Sequence, residues 1–205
     1  VYIYNGETVT FDRCKFTNND IANESSSDGG VVYSYNSTTT FQNCLFYDND
    51  SYDSNDGLIY FAYGTNNVIN CTFADNSEEP IYSVSGGTVN ITNCIFKDNT
   101  GNDVERDGGT VNFTYNWYES TTGTLSTNTN NKTSSDGNVN FVDQNNDDYR
   151  IEFGSYVKNI GTTGASIPAK DFAGNDRDGS PDMGCYEYVC SSASGGIAAT
   201  STATV

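Results

Sequence analysis

The stretch Cys44-Leu45-Phe46-Tyr47-Asp48-Asn49 contains a pattern, C-x-F-x-x-N, that occurs four times in this chain. Each copy follows a short β-prone run such as Thr39-Thr40-Phe41, and an apolar residue followed by tyrosine precedes that run. A fifth, diverged copy lies within residues 110–118, where Asn116 replaces the cysteine and Tyr118 the phenylalanine. The four full copies comprise Cys14, Phe16 and Asn19; Cys44, Phe46 and Asn49; Cys71, Phe73 and Asn76; and Cys94, Phe96 and Asn99.

Successive copies lie 30, 27, 23 and 22 residues apart, which suits one coil of three short strands and three turns. β-Branched and aromatic residues dominate, and neither a helical period nor the six-residue subperiod of a left-handed β-helix is present. Equivalent residues of stacked coils lie about 4.8 Å apart, so the phenylalanines should form a core ladder and the asparagines a hydrogen-bonded turn ladder. The repeat predicts an all-β parallel β-helix (β-solenoid) of about five to six coils.

Two family resemblances extend this prediction. Asn43-Cys44, Asn70-Cys71 and Asn93-Cys94 complete an N-C-x-F motif, from which Arg13 departs, and residues 1–120 thereby resemble the right-handed β-helix repeats of polymorphic outer-membrane proteins. Residues 148–188 resemble the closing motif of choice-of-anchor Q surface proteins, carried by Asp148-Tyr149-Arg150-Ile151, Gly154-Ser155, Asp171 to Arg177 and Pro181 to Tyr188. The resemblances imply a secreted right-handed parallel β-helix held at or near the cell envelope, and they imply no known catalytic activity.

The same landmarks predict the organisation of the chain. We expect one domain over residues 1–190, with regular repeats over 1–120 and irregular closing coils over 121–190. The tail over 191–205 is rich in Ser, Ala, Thr and Gly, and its end from Ile197 to Val205 carries no charge. We predict that this tail adds as a strand to a neighbouring subunit, giving a head-to-tail homopolymer.

Charge and composition restrict the partners and the location. The chain has 9 Lys+Arg against 27 Asp+Glu, and its net charge of −18 argues against nucleic acid or an anionic membrane surface as partner. A stretch of about 18 apolar residues is also missing, which argues against membrane insertion. Six cysteines and many sequons favour an extracellular or cell-surface location. The candidate glycosylation sites are Asn23, Asn36, Asn49, Asn70, Asn90, Asn112 and Asn131.

The cysteines leave two alternatives open. Stacked coils bring cysteine Cα atoms within the range of a disulfide, so Cys14–Cys44 and Cys71–Cys94 could be bridged. Alternatively, all four cysteines are free thiols that pack in the core as small apolar groups. Cys185 and Cys190 are the remaining candidate pair. A metal site is disfavoured because the chain has no histidine and no C-x-x-C spacing.

The tyrosines suggest a surface feature. If Ile3, Val32, Ile59 and Ile81 point inward, strand alternation turns the neighbouring tyrosines outward as a stripe on one face. Such a stripe could bind sugar rings or a protein partner, or it could simply be a cross-strand ladder that stabilises the sheet. Its members are Tyr2, Tyr4, Tyr33, Tyr35, Tyr60 and Tyr82.

We find no pattern that predicts catalysis, and we expect no cofactor and no enzyme. Most aspartates occur in Asn/Asp/Gly turns, where turn geometry explains them. The one weak calcium candidate is the acidic loop that holds Asp176, Asp178 and Asp182. The sequence therefore predicts a structural surface protein that assembles into filaments. The alternatives are a carbohydrate-binding adhesin and, third, a polysaccharide lyase or hydrolase.

Overall fold

The computed structural model describes residues 1–21, 30–51 and 57–190. The helical element in this part of the chain is one short 3-10 turn, Gln144–Asn146. In chain order the strands are β1 (Tyr2–Tyr4), β2 (Thr8–Asp12), β3 (Lys15–Thr17), β4 (Asp20–Ile21), β5 (Val32–Tyr35), β6 (Thr38–Gln42), β7 (Leu45–Tyr47), β8 (Asp50–Ser51), β9 (Ile59–Ala62), β10 (Thr65–Ile69), β11 (Thr72–Ala74), β12 (Ile81–Val84), β13 (Thr88–Thr92), β14 (Ile95–Lys97), β15 (Val104–Arg106), β16 (Thr110–Thr114), β17 (Thr121–Thr122), β18 (Thr127–Thr129), β19 (Phe141–Asp143) and β20 (Asp148–Ile151).

Three parallel sheets run along the molecule, and each coil of the chain adds one strand to each sheet. The first sheet has the order β1-β5-β9-β12-β15-β17, the second β2-β6-β10-β13-β16-β18, and the third β3-β7-β11-β14. Single parallel bridges from Ile95 to Trp117 and from Trp117 to Lys132 extend the third sheet by two further coils. The protein is therefore a parallel β-helix of six coils, within the five to six coils that the repeats predict.

Left-handed backbone positions terminate the strands at the same place in each coil. Asn43, Asn70 and Asn93 separate the second sheet from the third with φ angles of 52°, 49° and 57°. Asp48 and Asp75 end the strands of the third sheet in the same conformation. Asn and Asp tolerate this conformation better than other side chains, which explains why the repeat places them there.

The core follows the predicted register. Phe46, Phe73 and Phe96 are fully buried, and their ring centroids lie 4.5 and 4.9 Å apart in a continuous stack. We number the coils in chain order, so coil 1 holds β1 to β3 and coil 2 holds β5 to β7. Phe16 of coil 1 continues the stack at 4.5 Å from Phe46, but it is only partly buried because the described residues cover it on the coil 2 side alone. Buried aromatic rings at this spacing gain both hydrophobic and stacking free energy, so the stack stabilises the middle coils.

The predicted asparagine ladder is also present in the turn after the third sheet. The Nδ2 of Asn19 donates to the Oδ1 of Asn49 at 2.7 Å, and Asn49 and Asn76 donate to the next rung at 2.9 and 2.8 Å. Asn49 and Asn76 also donate to the carbonyls of Phe16 and Phe46 in the preceding coil. Each buried amide thereby joins its own coil to both neighbours, which satisfies polar groups that would otherwise be costly to bury.

The register of coil 1 corrects one sequence expectation. Ile3-Tyr4 should have aligned with Val32-Tyr33, but Tyr2 pairs with Tyr33 and Ile3 with Ser34. The left-handed residues at the strand ends decide this alignment, because Asn5 stacks on Asn36 and its neighbour Gly6 donates to the Asn36 carbonyl at 2.8 Å. The shift is two residues, so the inward and outward faces are unchanged.

The C-terminal region also differs from the expectation of irregular closing coils over 121–190. Residues 121–132 do form the last coil, with β17, β18 and Lys132 on the three sheets. The flanking segment, which we define as residues 133–188, instead lies along the outer face of the third sheet. A second core forms there from Leu45, Tyr47, Ala74, Ile95, Trp117, Val139, Phe141, Tyr149, Ile151, Val157, Met183 and Cys185.

Strand composition explains this cover. In β7, Phe46 points into the interior of the β-helix while Leu45 and Tyr47 point outward, and all three are buried. Strands that are apolar on both faces need a second layer to remove the outer face from water. The flanking segment supplies that layer.

Candidate functional site

The cysteines form a structural ladder of free thiols. None of the six cysteines, all within the described residues, is bridged. The Sγ of Cys71 accepts the Cys44 amide hydrogen, and the Sγ of Cys94 accepts that of Cys71, both at 3.4 Å. Burial raises the pKa of Cys71 well above its usual value, so this thiol is a poor nucleophile. Of the two alternatives, the structure has the packed thiols and not the Cys14–Cys44 and Cys71–Cys94 bridges.

The ladder continues beyond the last cysteine. The Oδ1 of Asn116 accepts the Cys94 amide hydrogen at 2.8 Å, and the Oδ1 of Asn131 accepts that of Asn116 at 2.7 Å. An amide oxygen thus takes the place of the sulfur. The sequence identified Asn116 as a rung, but Asn131 was assigned only as a sequon because the sixth coil is 15 residues long and lacks the motif.

The residues that resemble the choice-of-anchor motif form a buried polar network. Arg177 and Glu187 make an ion pair at 3.0 Å, with side chains only 2% and 5% exposed. Asp182 accepts the backbone amide hydrogens of Asn159 and Tyr188, and Asp171 accepts those of Asn175 and Glu187. These carboxylates hold the loops of the flanking segment together, which is a structural task.

The calcium candidates do not form a site. Asp182 is buried among backbone amides, Asp176 is exposed and pairs with the Nζ of Lys170 at 2.6 Å, and Asp178 accepts the amide hydrogen of Ser180. Within the described residues, no group of three or more His, Cys, Asp or Glu is placed to hold a metal ion. The structure therefore gives the calcium assignment no support, because backbone donors and a lysine already contact these carboxylates.

The turn asparagines of the N-C-x-F motif dock the flanking segment onto the coils. Asn43 accepts from Arg177 at 3.0 Å, Asn70 donates to the Asp182 carbonyl at 3.1 Å, and Asn93 donates to the Thr162 carbonyl at 2.9 Å. Gly184 fits against the third sheet, where a Cβ would lie 2.8 Å from Thr72 Oγ1. The sequence assigned these asparagines to the repeat, but their docking role depends on contacts between 69 and 134 residues away in the chain.

The remaining cysteine pair is separated by this packing. Cys185 is buried, and its backbone amide donates to Thr72 Oγ1 at 3.0 Å. Burial raises its pKa to about 12, and Cys190 is exposed at the end of the segment. The Cys185–Cys190 bridge is accordingly not formed.

The tyrosines form two stacked columns, and the exposed part lies at coil 1. In the coils that follow coil 1, Tyr33 and Tyr82 are buried, and Tyr60 is half-buried between them. Tyr2 and Tyr4 are 69% and 46% exposed. The cross-strand ladder therefore accounts for the inner rings, and of the six tyrosines of the predicted stripe only Tyr2 and Tyr4 of coil 1 are exposed. The stacked pairs are Tyr2–Tyr33 at 4.8 Å, Tyr33–Tyr60 at 5.3 Å, Tyr60–Tyr82 at 5.5 Å and Tyr4–Tyr35 at 4.9 Å.

A groove that no sequence pattern indicated lies on the flanking segment. It has a volume of about 740 Å³, and Phe153 on its wall is 73% exposed. The Nζ of Lys158 lies 4.3 Å from the centroid of Phe153 and 4.8 Å from that of Tyr188. Other residues that line the groove are Val142, Arg150, Glu152 and Val189.

Comparison with known proteins agrees with this architecture. The family described as the right handed beta helix region matches residues 1–140. The chain belongs to this family. No curated protein and no solved structure matches the chain. The family match covers the six coils and ends early in the flanking segment, so it identifies the β-helix and leaves the function of the protein open.

The sequons of this β-helix protein differ in accessibility. Asn36 is exposed in a turn, whereas Asn49 and Asn70 are buried and hydrogen-bonded. Asn90 and Asn112 are half-buried, and the Nδ2 of Asn112 donates to the Oδ1 of Asn90 at 2.9 Å. Asn131 is a rung of the thiol ladder, and Asn23 lies outside the described residues. Among the described residues there is also no helix long and apolar enough to cross a membrane.

Proposed function

We propose that this β-helix protein is a non-enzymatic structural module of an extracellular surface, and that copies stack end to end through coil 1. The observation that carries the proposal is the apolar surface that coil 1 presents on the side away from coil 2. Val9, Phe11 and Phe16 are only partly buried, whereas Phe41 and Phe46, which stack on Phe11 and Phe16, are fully buried. A second copy placed on this edge would remove that apolar surface from water.

Backbone geometry supports stacking of strand on strand. Thr38 donates to the Glu7 carbonyl and Arg13 donates to the Gln42 carbonyl, so Glu7 and Arg13 direct their peptide groups toward coil 2. Because peptide groups alternate along a parallel strand, Thr8, Thr10 and Asp12 direct theirs away from coil 2. These groups point to the side on which we propose that a strand from another molecule pairs.

Other features support the structural and extracellular parts of the proposal. The buried carboxylates Asp171 and Asp182 accept backbone amide hydrogens, which suits loop construction better than proton transfer. The exposed sequon at Asn36 and the resemblance to choice-of-anchor Q and polymorphic outer-membrane proteins favour a cell-surface location. The tail that holds Ile197 and Val205 lies outside the described residues, and its role as an inter-subunit strand stays a prediction.

The test uses an edge proline. Thr10→Pro removes an amide hydrogen that points away from coil 2, so it should block stacking and leave the monomer folded. Thr10→Val keeps the amide hydrogen and is the matched control. Sedimentation and electron microscopy of the full chain should show polymers for the wild type and Thr10→Val, and monomers for Thr10→Pro. Assembly should increase with salt, because each copy carries a net charge of −18.

Two results would contradict the proposal. A wild-type chain that stays monomeric at high protein concentration and high salt would exclude self-stacking. Polymers of Thr10→Pro with the abundance of the wild type would exclude the coil 1 edge as the contact.

A further inference from the structure

The groove on the flanking segment concentrates exposed apolar surface at a concave site. Phe153, Val189 and Val142 are among the few exposed large hydrophobic residues of the described chain, and all three line it. Its volume of about 740 Å³ falls in the range of about 300–1,000 Å³ that is typical of small-molecule sites. Exposed apolar residues gathered in one concavity indicate a binding function more strongly than the same residues scattered over a surface.

The rings in the groove are held in fixed relative positions. The centroids of Phe153 and Tyr188 lie 5.8 Å apart at an angle of 61°, and the Lys158 ammonium contacts both rings. Phe153 stays largely exposed despite these contacts. A rigid exposed ring beside polar groups offers a flat surface on which an apolar ligand face can stack.

Polar groups lie beside the rings. Arg150 and Glu152 are exposed and lie on the same side of the chain at the end of β20, while Ile151 between them is buried. Arg150 pairs with Asp148, whereas the Glu152 carboxylate makes no hydrogen bond or ion pair with the described residues. A free carboxylate next to an aromatic ring can accept two hydrogen bonds from neighbouring hydroxyl groups.

We propose that this groove binds a neutral oligosaccharide. The C–H face of a sugar ring would stack on Phe153, while its hydroxyl groups would donate to Glu152 and accept from Arg150. The Glu152 carboxylate and the net charge of −18 disfavour an anionic glycan. The groove is separate from the coil 1 edge, so sugar binding and end-to-end stacking can be tested independently of each other.

Gly154 allows a steric test. A Cβ at Gly154 would meet no atom within 4 Å, and its φ lies outside the left-handed region, so Gly154→Leu should fill the groove without backbone strain. Gly179 has the same properties but does not line the groove, and Gly179→Leu is the matched control. Phe153→Ala removes the stacking surface and should weaken binding about tenfold, the effect of one lost aromatic contact.

The full chain is titrated with cellotriose, maltotriose and chitotriose, and binding is measured by NMR and calorimetry. A trigalacturonate is the charged comparison. We expect at least one neutral trisaccharide to bind the wild type and Gly179→Leu, and not Gly154→Leu. The inference is overturned if none binds at millimolar concentration, if Gly154→Leu binds like the control, or if the uronate binds most tightly. A change of assembly state in Gly154→Leu without sugar binding would also overturn it, and would assign the groove to a second copy.

Discussion

The six coils and the flanking segment are stabilised in different ways. In the coils, each residue contacts the equivalent residue one coil away, as Asn49 does with Asn76 and Phe46 with Phe73. In the flanking segment, the contacts do not repeat. The guanidinium of Arg177, for example, donates hydrogen bonds to Asn43 and Gly184 and forms an ion pair with Glu187. Repetition distributes stability over many similar rungs, whereas the flanking segment concentrates it in one buried network.

The two regions nevertheless depend on each other. The third sheet has an apolar outer face that the flanking segment covers, and the flanking segment binds the side chains of Asn43, Asn70 and Asn93 from three successive coils. Coil 1 has Arg13 at the equivalent position, where the guanidinium pairs with the adjacent Asp12 instead of the flanking segment. Coil 1 therefore lacks the asparagine contact that the next three coils make with the flanking segment.

The largest effect should come from the middle of the phenylalanine stack. Phe73 is fully buried between Phe46 and Phe96, so Phe73→Ala should lower the free energy of unfolding by about 3–5 kcal/mol. Phe16→Ala is the matched control, because this ring is in the same stack but only partly buried at coil 1. Urea denaturation would measure both. Equal losses for the two variants would show that coil 1 is as well covered in solution as the middle coils.

A loss of about 3 kcal/mol should follow from Arg177→Met, which leaves the buried Glu187 carboxylate without its ion-pair partner. Hydrogen exchange should show that the flanking segment loses protection while the coils keep theirs. The double variant Arg177→Met with Glu187→Gln should recover part of the stability, because the uncompensated charge is gone. Uniform loss of protection throughout the chain would mean that the two regions unfold as one unit.

A smaller effect should appear as a pH dependence within the coils. Asp103 is buried, and desolvation raises the pKa of its carboxyl to about 6. Hydrogen bonds from Glu119, Ser120 and Asn99 lower the pKa but do not offset the effect of desolvation. The folded state therefore binds this proton more tightly than the unfolded state, whose carboxyl has an ordinary pKa of about 3.9. The resulting stability is fully present below about pH 4 and is lost as pH rises through about 6, by up to about 3 kcal/mol.

Asp103→Asn tests this dependence. Burial also raises the pKa of Asp182 and Glu187, so the whole protein should lose stability in the same direction, and the difference between wild type and variant isolates Asp103. Denaturation measured from pH 4 to pH 7 should give a shallower decline for the variant. Parallel profiles would show that Asp103 stays ionised throughout this range.

The sequence predicted most of the features that repeat and few of those that do not. The positions of Phe73 and Asn76 follow from period alone, because stacked coils place equal positions in equal surroundings. The placement of the flanking segment depends on contacts such as Tyr47 with Tyr149, which no period encodes. One signal was available, since Leu45-Phe46-Tyr47 is apolar on both faces of its strand and so required a cover. The groove had no such signal, because Phe153 and Val189 meet only in the folded segment.

The smallest effect on stability should come from glycosylation, which we expect at exposed turn asparagines and not at buried asparagines. Asn36 is exposed in a left-handed turn, so a glycan there should change the free energy of unfolding by no more than about 0.5 kcal/mol. Secretion from a glycosylating host should give an intact mass above the 22.2 kDa of the bare chain. We expect Asn36→Gln to reduce that mass by one glycan, and Asn70→Gln to leave it unchanged because the Asn70 amide is buried against Asp182. A bare wild-type mass, or a glycan on Asn70 of the folded protein, would contradict this assignment and weaken the proposed extracellular location.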